Sequence, residues 1–596
     1  MEKYNTRSDV PDKYKWDLSS FFKNEEDFND TYEKAVKLNK EVNNYKGKIK
    51  DSKCLYEFLE KDLKLSILIE NLYVYSYLKN DGMLGVSKSI ERKSKVEMLI
   101  AKHSLNVSFF EPELLKLSKQ EYDNLYENDK LLKYKAYLDD IYRYKDHILS
   151  EKEEQIISSL SSATNHYDDM SSLMLNSLND YGTIEIDGKD EVITTTNYRK
   201  LMKNKDRNKR KEIRKKLFGV LSRYKELSAM QLDSYVKLNN EINKFKNYDS
   251  NISAKLFSLY MPIKAYEKLV NTVENNTNLY QKYLNIFKDV HKLDKLMPYD
   301  LNLDLLKSNK EYSVEEAKDI CLNAIKPLGE EYYRKFKKIF DEHYIDFMGY
   351  KGKCSGGYSF STSTNNSRIL MSYNYDLESV STIIHEGGHN VHHQFIKDNN
   401  IEIYRDAPSI TAEIASLTNE CLLSNYLMIN GKTKEEKLSG IANMIEVINS
   451  NLFGAVREGK LEQDFYKHVE EGNALTADYL NDINKKSIDK YYGNLVEEDE
   501  YSNLSWIRRS HYYMFFYLYA YAFSISVACF VASEILNGNK KVLDNYLKFL
   551  TIGSDIYPYD VIKVLGIDLT SDNVYEEALK YYNKLLNDFD RIRKEE

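Results

Sequence analysis

Apolar residues recur at three- and four-residue intervals along most of this chain, the spacing that lines one side of a helix. Leu55, Leu59, Leu63, Ile67 and Val74 form one such stripe, and comparable segments run to about Ser162, as expected of helices packed on one another. The rhythm then changes. Thr183-Ile-Glu-Ile186, Asp187-Gly188 and Val192-Ile-Thr-Thr195 predict a hairpin closed by an Asp-Gly turn. A lobe boundary is expected there, between a mostly helical lobe, 1–195, and a second region, 196–596. Helical spacing resumes to about Phe347 and includes a capping box at Ser313-Val-Glu-Glu316. Lys351 to Ser367 is rich in Gly, Ser, Thr and Asn, and Arg368-Ile-Leu-Met-Ser-Tyr-Asn374 reads as a strand. It leads into a helical pattern with Val380, Ile383, Ile384, Val391 and Phe395 on its apolar side. A hairpin or small sheet beside that helix is predicted, because an isolated strand would leave its backbone groups unpaired.

Composition narrows the class. Only 7 Pro and 22 Gly interrupt 596 residues that are 42% apolar and 30% charged, which fits a soluble, mainly helical protein. A net charge of -8 gives no reason to expect a nucleic-acid partner. The basic segment Arg199 to Lys216 is interrupted by acidic and apolar residues at helical intervals and is expected to be a solvated helix face. The 51 tyrosines reflect a bias in residue usage and carry no functional argument. Cys54, Cys321, Cys354, Cys421 and Cys529 are odd in number and lack CxxC spacing, which points to a reducing compartment and away from thiolate zinc sites. The charged opening Met1-Glu-Lys-Tyr-Asn-Thr-Arg-Ser-Asp9 has no hydrophobic core for a signal peptide, so a cytoplasmic address is expected. One stretch of 24 residues, Ser510 to Ser533, has no Asp, Glu, Lys or Arg and is long enough to cross a bilayer. Its first half is crowded with His511, Tyr512, Tyr513, Tyr517, Tyr519 and Tyr521, whose polar tips suit a buried helix better than lipid. No stable membrane association is expected.

Candidate chemistry concentrates in the helix after the strand. Of 11 histidines, four lie between positions 385 and 393, and His385-Glu386-Gly387-Gly388-His389 is an HExxH pattern. Two imidazoles four residues apart share a helix face and can hold one zinc ion while Glu386 reaches its water. Gly387 and Gly388 cost the helix interior about 1 kcal/mol each relative to alanine. The compensation expected is close approach of another element, with the preceding strand as the candidate. A catalytic zinc needs a third protein ligand. His392 shares the face, but seven residues of helix rise about 10 Å, too far for His385 and His392 to share an ion. The better candidate is Glu413, near the start of a second helical pattern, Ala412-Glu-Ile-Ala-Ser-Leu417, that a helical hairpin would fold back over the first. Glu420, two turns on, is placed to orient a ligand histidine. In such a site the metal lowers the pKa of water and polarises a carbonyl, while Glu386 takes the proton and hands it to the departing amine. The oxyanion needs a further donor that is not a ligand, and the His511 to Tyr521 segment offers several. Tyr513, Tyr517 and Tyr521 recur every four residues, as if along one side of a helix.

These motifs together resemble the oligoendopeptidase F branch of the thimet oligopeptidase-like zinc peptidases. The resemblance runs almost end to end. It takes in Tyr14-Lys-Trp-Asp-Leu18, Gly352-Lys-Cys-Ser-Gly-Gly-Tyr-Ser359, His385 to His392 and Ala412-Glu-Ile-Ala-Ser416. Further along it takes in Gly472-Asn-Ala-Leu-Thr476, His511-Tyr-Tyr513, Phe516-Tyr-Leu-Tyr-Ala-Tyr521 and Gly553-Ser-Asp-Ile-Tyr-Pro558. It implies a mainly α, two-lobed, zincin-type fold with a small β-sheet beside the HExxH helix and a deep central channel for short unstructured peptides. It implies one zinc per chain on His385, His389 and Glu413, with Glu386 as base and His511, Tyr517 and Tyr521 meeting the substrate. A strand at Ile369 to Tyr373 would pair with an extended peptide as an added edge strand. Three places depart from the family's habit: Cys354-Ser-Gly-Gly357, Gly387, and Val456-Arg-Glu-Gly-Lys-Leu461.

The function expected is a zinc endopeptidase of oligopeptides, with 196–596 as its catalytic domain. Two rivals share some of these features. A helical peptide-binding protein without turnover would have no use for an intact HExxH, and a membrane-embedded metalloprotease would account for the uncharged Ser510 to Ser533 stretch.

Overall fold

A computed structural model describes residues 4–164 and 166–595; Met1 to Lys3 of the charged opening lie outside them. Packing divides the chain into two mainly helical units. One comprises Met1–Ile148, Asn309–Tyr426 and Val531–Ile567; the other comprises Leu149–Ser308, Leu427–Phe530 and Asp568–Glu596. Each unit gathers segments distant in sequence.

In the first unit, helix Ser52–Asp81 buries Leu55, Leu59 and Val74, while Leu63 and Ile67 are half-buried. Phe22 stacks edge-on against both Phe28 and Tyr75 in the core around this helix. Ser313 caps the helix Val314–Ala324 by accepting from the Glu316 backbone, but the reciprocal half of the predicted capping box is missing, because the Glu316 carboxylate pairs with Lys310 instead. The predicted sheet is present. Its strand order is Ile345–Asp346, Arg368–Leu370, Tyr358–Phe360, with a parallel first pair and an antiparallel second. Arg368–Leu370 is therefore the central strand, paired on both sides. The expectation of a free edge beginning at Ile369 is corrected: Ile345 and Asp346 occupy one side of it, and the open edges belong to the outer strands.

The HExxH lies in helix Leu377–Asn399, started by Asp376, whose side chain accepts from the Ser379 amide. Val380, Ile383, Ile384, Val391 and Phe395 are buried, as their spacing predicted. A polar turn then leads to helix Ser409–Asn430. The turn is held from outside: Asn400 donates to the Thr551 carbonyl, and the Ser554 amide donates to that of Tyr404. Gly553 is required there, because a Cβ would stand 2.0 Å from the Tyr404 carbonyl oxygen.

In the second unit the predicted hairpin forms between Thr183–Ile186 and Lys189–Val192, and Asp187 and Gly188 take the positive φ angles of its turn. The basic segment is not wholly solvated. Arg210 and Arg214 of helix Arg207–Leu221 are buried, Arg210 against Asp300 and Arg214 against Asp499. Burial of a guanidinium is tolerated when its charge is paired, and both partners lie far along the chain. Helix Tyr519–Leu536 is, among the described residues, the one long and apolar enough to cross a membrane, and 67% of it is buried inside the protein. It begins only at Tyr519, so Tyr513 and Tyr517 are not on one helix with Tyr521. Phe515 and Phe516, with φ of 35° and 49°, break the helical path before it.

The two HExxH glycines mark close approaches, made by helices and not by the preceding strand. A Cβ on Gly388 would stand 2.7 Å from Ser416 Cα and 3.1 Å from the Ala415 carbonyl oxygen, and one on Gly387 would meet the Phe336 ring at 2.5 Å. A ring can shift; helix backbone cannot without parting the helices. Gly388→Ala gains about 1 kcal/mol of helix propensity but is expected to lose about 1–3 kcal/mol from overpacking. Chemical denaturation should show net destabilisation, with a smaller effect for Gly387→Ala.

Candidate metal centre

Close contact at Gly388 brings the turn carrying Glu413 and Ser416 over the turn carrying His385 and His389. Four polar links lock the register. Asn419 donates to the Ile384 carbonyl at 3.1 Å and accepts from the Tyr332 hydroxyl at 2.9 Å. Ser381 donates to Glu420 Oε2 at 3.0 Å, while Glu420 Oε1 lies 2.6 Å from His385 Nδ1. With Nδ1 engaged in that way, His385 turns Nε2 toward Glu413.

His385 Nε2 is 3.5 Å from Glu413 Oε2, and His389 Nε2 is 3.9 Å from Glu413 Oε1. Donor atoms of the three residues all lie within 4.8 Å of one another. Two donors each about 2.1 Å from a tetrahedral ion stand about 3.4 Å apart, so the cluster has the dimensions to enclose one ion. Two imidazole nitrogens and a carboxylate suit a borderline metal such as zinc, and a second carboxylate behind a ligand histidine is the usual support for it. Ser416 also donates to Glu413 Oε2, at 3.1 Å, which fixes the carboxylate's orientation.

The electrostatics favour a cation. Burial works to lower the His385 pKa, but the hydrogen bond to Glu420 and the charges of Glu420, Glu413 and Glu386 outweigh it and push it up to about 9. Burial pushes the Glu386 carboxyl up to about 7, helped by Glu413 and Glu420 and opposed by His385. His389 is driven well below its ordinary value by burial and by the positive charge on His385. His392 stands apart. Its ring stacks on Phe549 with centroids 5.7 Å apart, and burial lowers its pKa to about 3, leaving a neutral core side chain.

The remaining predicted residues lie in the second unit. His511 sits in the turn Ser510–Tyr513, half-buried, its pKa lowered by burial and by Arg509. Its ring lies 6.0 Å from that of Tyr517 and nearly parallel to it, and the Tyr517 and Tyr521 hydroxyls are 2.9 Å apart. Ser416, Ser381 and Asn419 were given no role in the sequence. Ser416 was detectable, because Glu413, Ser416 and Glu420 share one helix face by their spacing. Gly357, noted in the sequence as part of a departure from the family's habit, lies close to the site: a Cβ there would stand 3.0 Å from Thr382 Cγ2 and 4.0 Å from Glu386 Oε1.

The profile of peptidase family M3 matches residues 200–581, and that of oligopeptidase F matches 113–178. Group B oligopeptidase PepB of Streptococcus agalactiae serotype III (strain NEM316) is 29% identical over 99% of this chain and 98% of its own. Oligopeptidase PepF of Bacillus subtilis (strain 168) is 30% identical over 98% of this chain and 88% of its own. The crystal structure of oligoendopeptidase-F from Enterococcus faecium superposes with a TM-score of 0.74 at 27% identity, covering 96% of this chain and 99% of that one. A helical fold with an HExxH helix, a facing glutamate helix and near full-length likeness to these proteins places the chain in peptidase family M3, in its oligoendopeptidase F branch.

Proposed function

We propose that this metallo-oligopeptidase holds one zinc ion on His385, His389 and Glu413 and cleaves internal bonds of short, unstructured peptides. The observation that carries the reading is the convergence of those three side chains, with Glu420 behind His385 and Glu386 on the same helix. When bound, zinc supplies Lewis acidity, which makes water more acidic and polarises the scissile carbonyl.

Glu386 moves the proton. A carboxyl whose burial brings its pKa to about 7 can accept a proton near neutrality and release it again. It takes one from the attacking water as the new C–O bond forms and gives it to the amine nitrogen as the C–N bond breaks. Glu420 and Ser381 keep His385 in one orientation throughout. His511, Tyr517 and Tyr521 are proposed as donors to the substrate's carbonyl and backbone. Their support is the resemblance of the His511–Tyr521 segment and the grouping of their rings and hydroxyls.

Substrate backbone is proposed to add along Tyr358–Phe360, an outer strand, in place of the central Arg368–Leu370. Gly357 supports this choice: it leaves the backbone bare where the strand starts beside Glu386. Recognition through main-chain hydrogen bonds favours broad sequence tolerance. In chain order, 196–596 is proposed as the catalytic portion, and none of the five cysteines forms a disulfide, which fits a cytoplasmic address.

Glu386→Gln should bind zinc stoichiometrically yet cut a quenched peptide on the order of 10²–10⁴-fold more slowly. Undiminished turnover would remove Glu386 from its role. The same assay with a chelator should lose activity and regain it with zinc, separating an enzyme from a peptide-binding protein. Glu420→Ala should weaken zinc binding by roughly 10–100-fold in chelator competition, and an unchanged affinity would show that His385 needs no such support.

A further inference from the structure

The segment from His511 to Tyr517 has no regular structure after Tyr513, and its path is unusual. Phe515 and Phe516 are consecutive bulky residues with left-handed backbone, φ of 35° and 49°. Such conformations persist only where the surroundings over-determine them. Helix Ala455–Glu470 supplies several of the contacts that hold this segment.

Two carboxylates one turn apart on that helix reach the segment. Glu458 accepts from the Tyr512 hydroxyl, and Glu462 Oε1 accepts from the Phe516 amide at 2.6 Å. The next turn supplies rings: Phe465 stands edge-on to Tyr512, and Tyr466 packs against both Phe515 and Phe516. From helix Lys225–Phe245, the Tyr235 hydroxyl accepts from the Phe515 amide at 3.2 Å.

The carboxylates are matched to different jobs. Burial works to raise the pKa of Glu458, but Arg457 and Arg509 outweigh it, helped by the Tyr512 hydroxyl, and hold it at about 2. Among the described residues Glu462 has no ion-pair partner, and its Oε2 is buried without a hydrogen bond. Burial pushes it up to about 8, so near neutral pH it is an uncharged acceptor. An uncharged amide of the same shape could replace it. Glu458 belongs to the stretch where the sequence departs from its family's habit, and Tyr512 lies beside His511.

We propose that Glu458 and Glu462 are positioning residues that clamp the segment at Tyr512 and Phe516 and thereby set where the His511 ring and the Tyr517 hydroxyl stand. The inference rests on the reading of His511 and Tyr517 as groups that meet the substrate. Neither carboxylate is required to touch substrate or metal.

A mutant cycle on the full-length zinc enzyme tests it, with kcat, KM and zinc content measured for each variant. Glu462→Ala should lower kcat/KM on the order of 10–100-fold, with zinc content unchanged. Glu462→Gln, which keeps the acceptor, should stay within about threefold of the parent. In a His511→Ala, Tyr517→Phe background, Glu462→Ala should cost less than about twofold more, because its effect acts through those groups. Parent-like activity in Glu462→Ala, or a loss that adds in full on that background, overturns the clamp alone. Full activity in the His511→Ala, Tyr517→Phe protein instead overturns the reading of those two groups, and the clamp's role in the reaction with it. Should Glu462→Ala fail to fold, Tyr512→Phe probes the other arm by removing only a hydroxyl. It should lose about tenfold in kcat/KM and be non-additive on the same background, and parent-like activity would overturn the proposal.

Discussion

Everything at the candidate metal centre depends on how closely two helices approach at Gly388. With no side chain there, the backbone of Ala415 and Ser416 comes within a distance that a single methyl group would fill. That approach places Glu413 opposite both histidine Nε2 atoms and Glu420 opposite His385 Nδ1. Moving the second helix outward by the width of a methyl would lengthen all of these separations together. The glycine's helix-propensity penalty of about 1 kcal/mol is small beside this geometric return. The surrounding contacts preserve the same spacing: Asn419 bridges Ile384 and Tyr332, and Gly553 lets the segment after Thr551 press on the turn between the helices.

The price of so compact a site is its charge. Three carboxylates, Glu386, Glu413 and Glu420, surround two imidazoles in a mostly buried setting, and without a cation the protein must compensate with protons. The upward shifts of His385, to about 9, and of Glu386, to about 7, express that need. They have different causes: His385 is raised by its carboxylate neighbours against burial, Glu386 mainly by burial itself. A divalent ion meets the same need while leaving both imidazoles neutral, the form in which histidine binds metal. The opposite protonation tendencies of His385 and His389, four residues apart, follow from Glu420 standing behind one of them only.

Much of this was legible in the sequence where the argument needed only one element's geometry. Helix spacing paired His385 with His389, helix rise set His392 aside, and a hairpin of helices brought Glu413 and Glu420 to the right side. The apolar side of the HExxH helix, the Asp-Gly hairpin and the small sheet follow from equally local rules. What escaped is tertiary. The glycines signalled a close approach, but the pressing elements, Phe336 and the Ser416 turn, could not be read from their spacing. Strand-like composition at 368–374 could not show that Ile345 and Asp346, more than twenty residues earlier, would take one side of it. Arg210 and Arg214 looked solvated because their partners, Asp300 and Asp499, are remote in sequence. The four-residue recurrence of Tyr513, Tyr517 and Tyr521 suggested one helix, but periodicity says nothing about a break at Phe515 and Phe516.

That break shows how an energetically unfavourable backbone is made stable. Left-handed conformation costs a residue with a side chain roughly 1–2 kcal/mol, so two in succession require compensation close by. Phe516 is 2% exposed and Tyr512 1%, and fully burying an aromatic side chain contributes roughly 1.5–3 kcal/mol. Hydrogen bonds at Glu458 and Glu462 then choose one arrangement among those that would bury the same rings, because dispersion and the hydrophobic effect do not direct an amide toward an acceptor. A charged acceptor at both positions would add an unpaired buried charge to the helix. Keeping one carboxylate ionised between arginines and its neighbour protonated supplies two acceptors with only one charge to neutralise. The rings thus provide most of the stability of the turn and the carboxylates its direction, so a segment can lack regular structure and still be fixed in place.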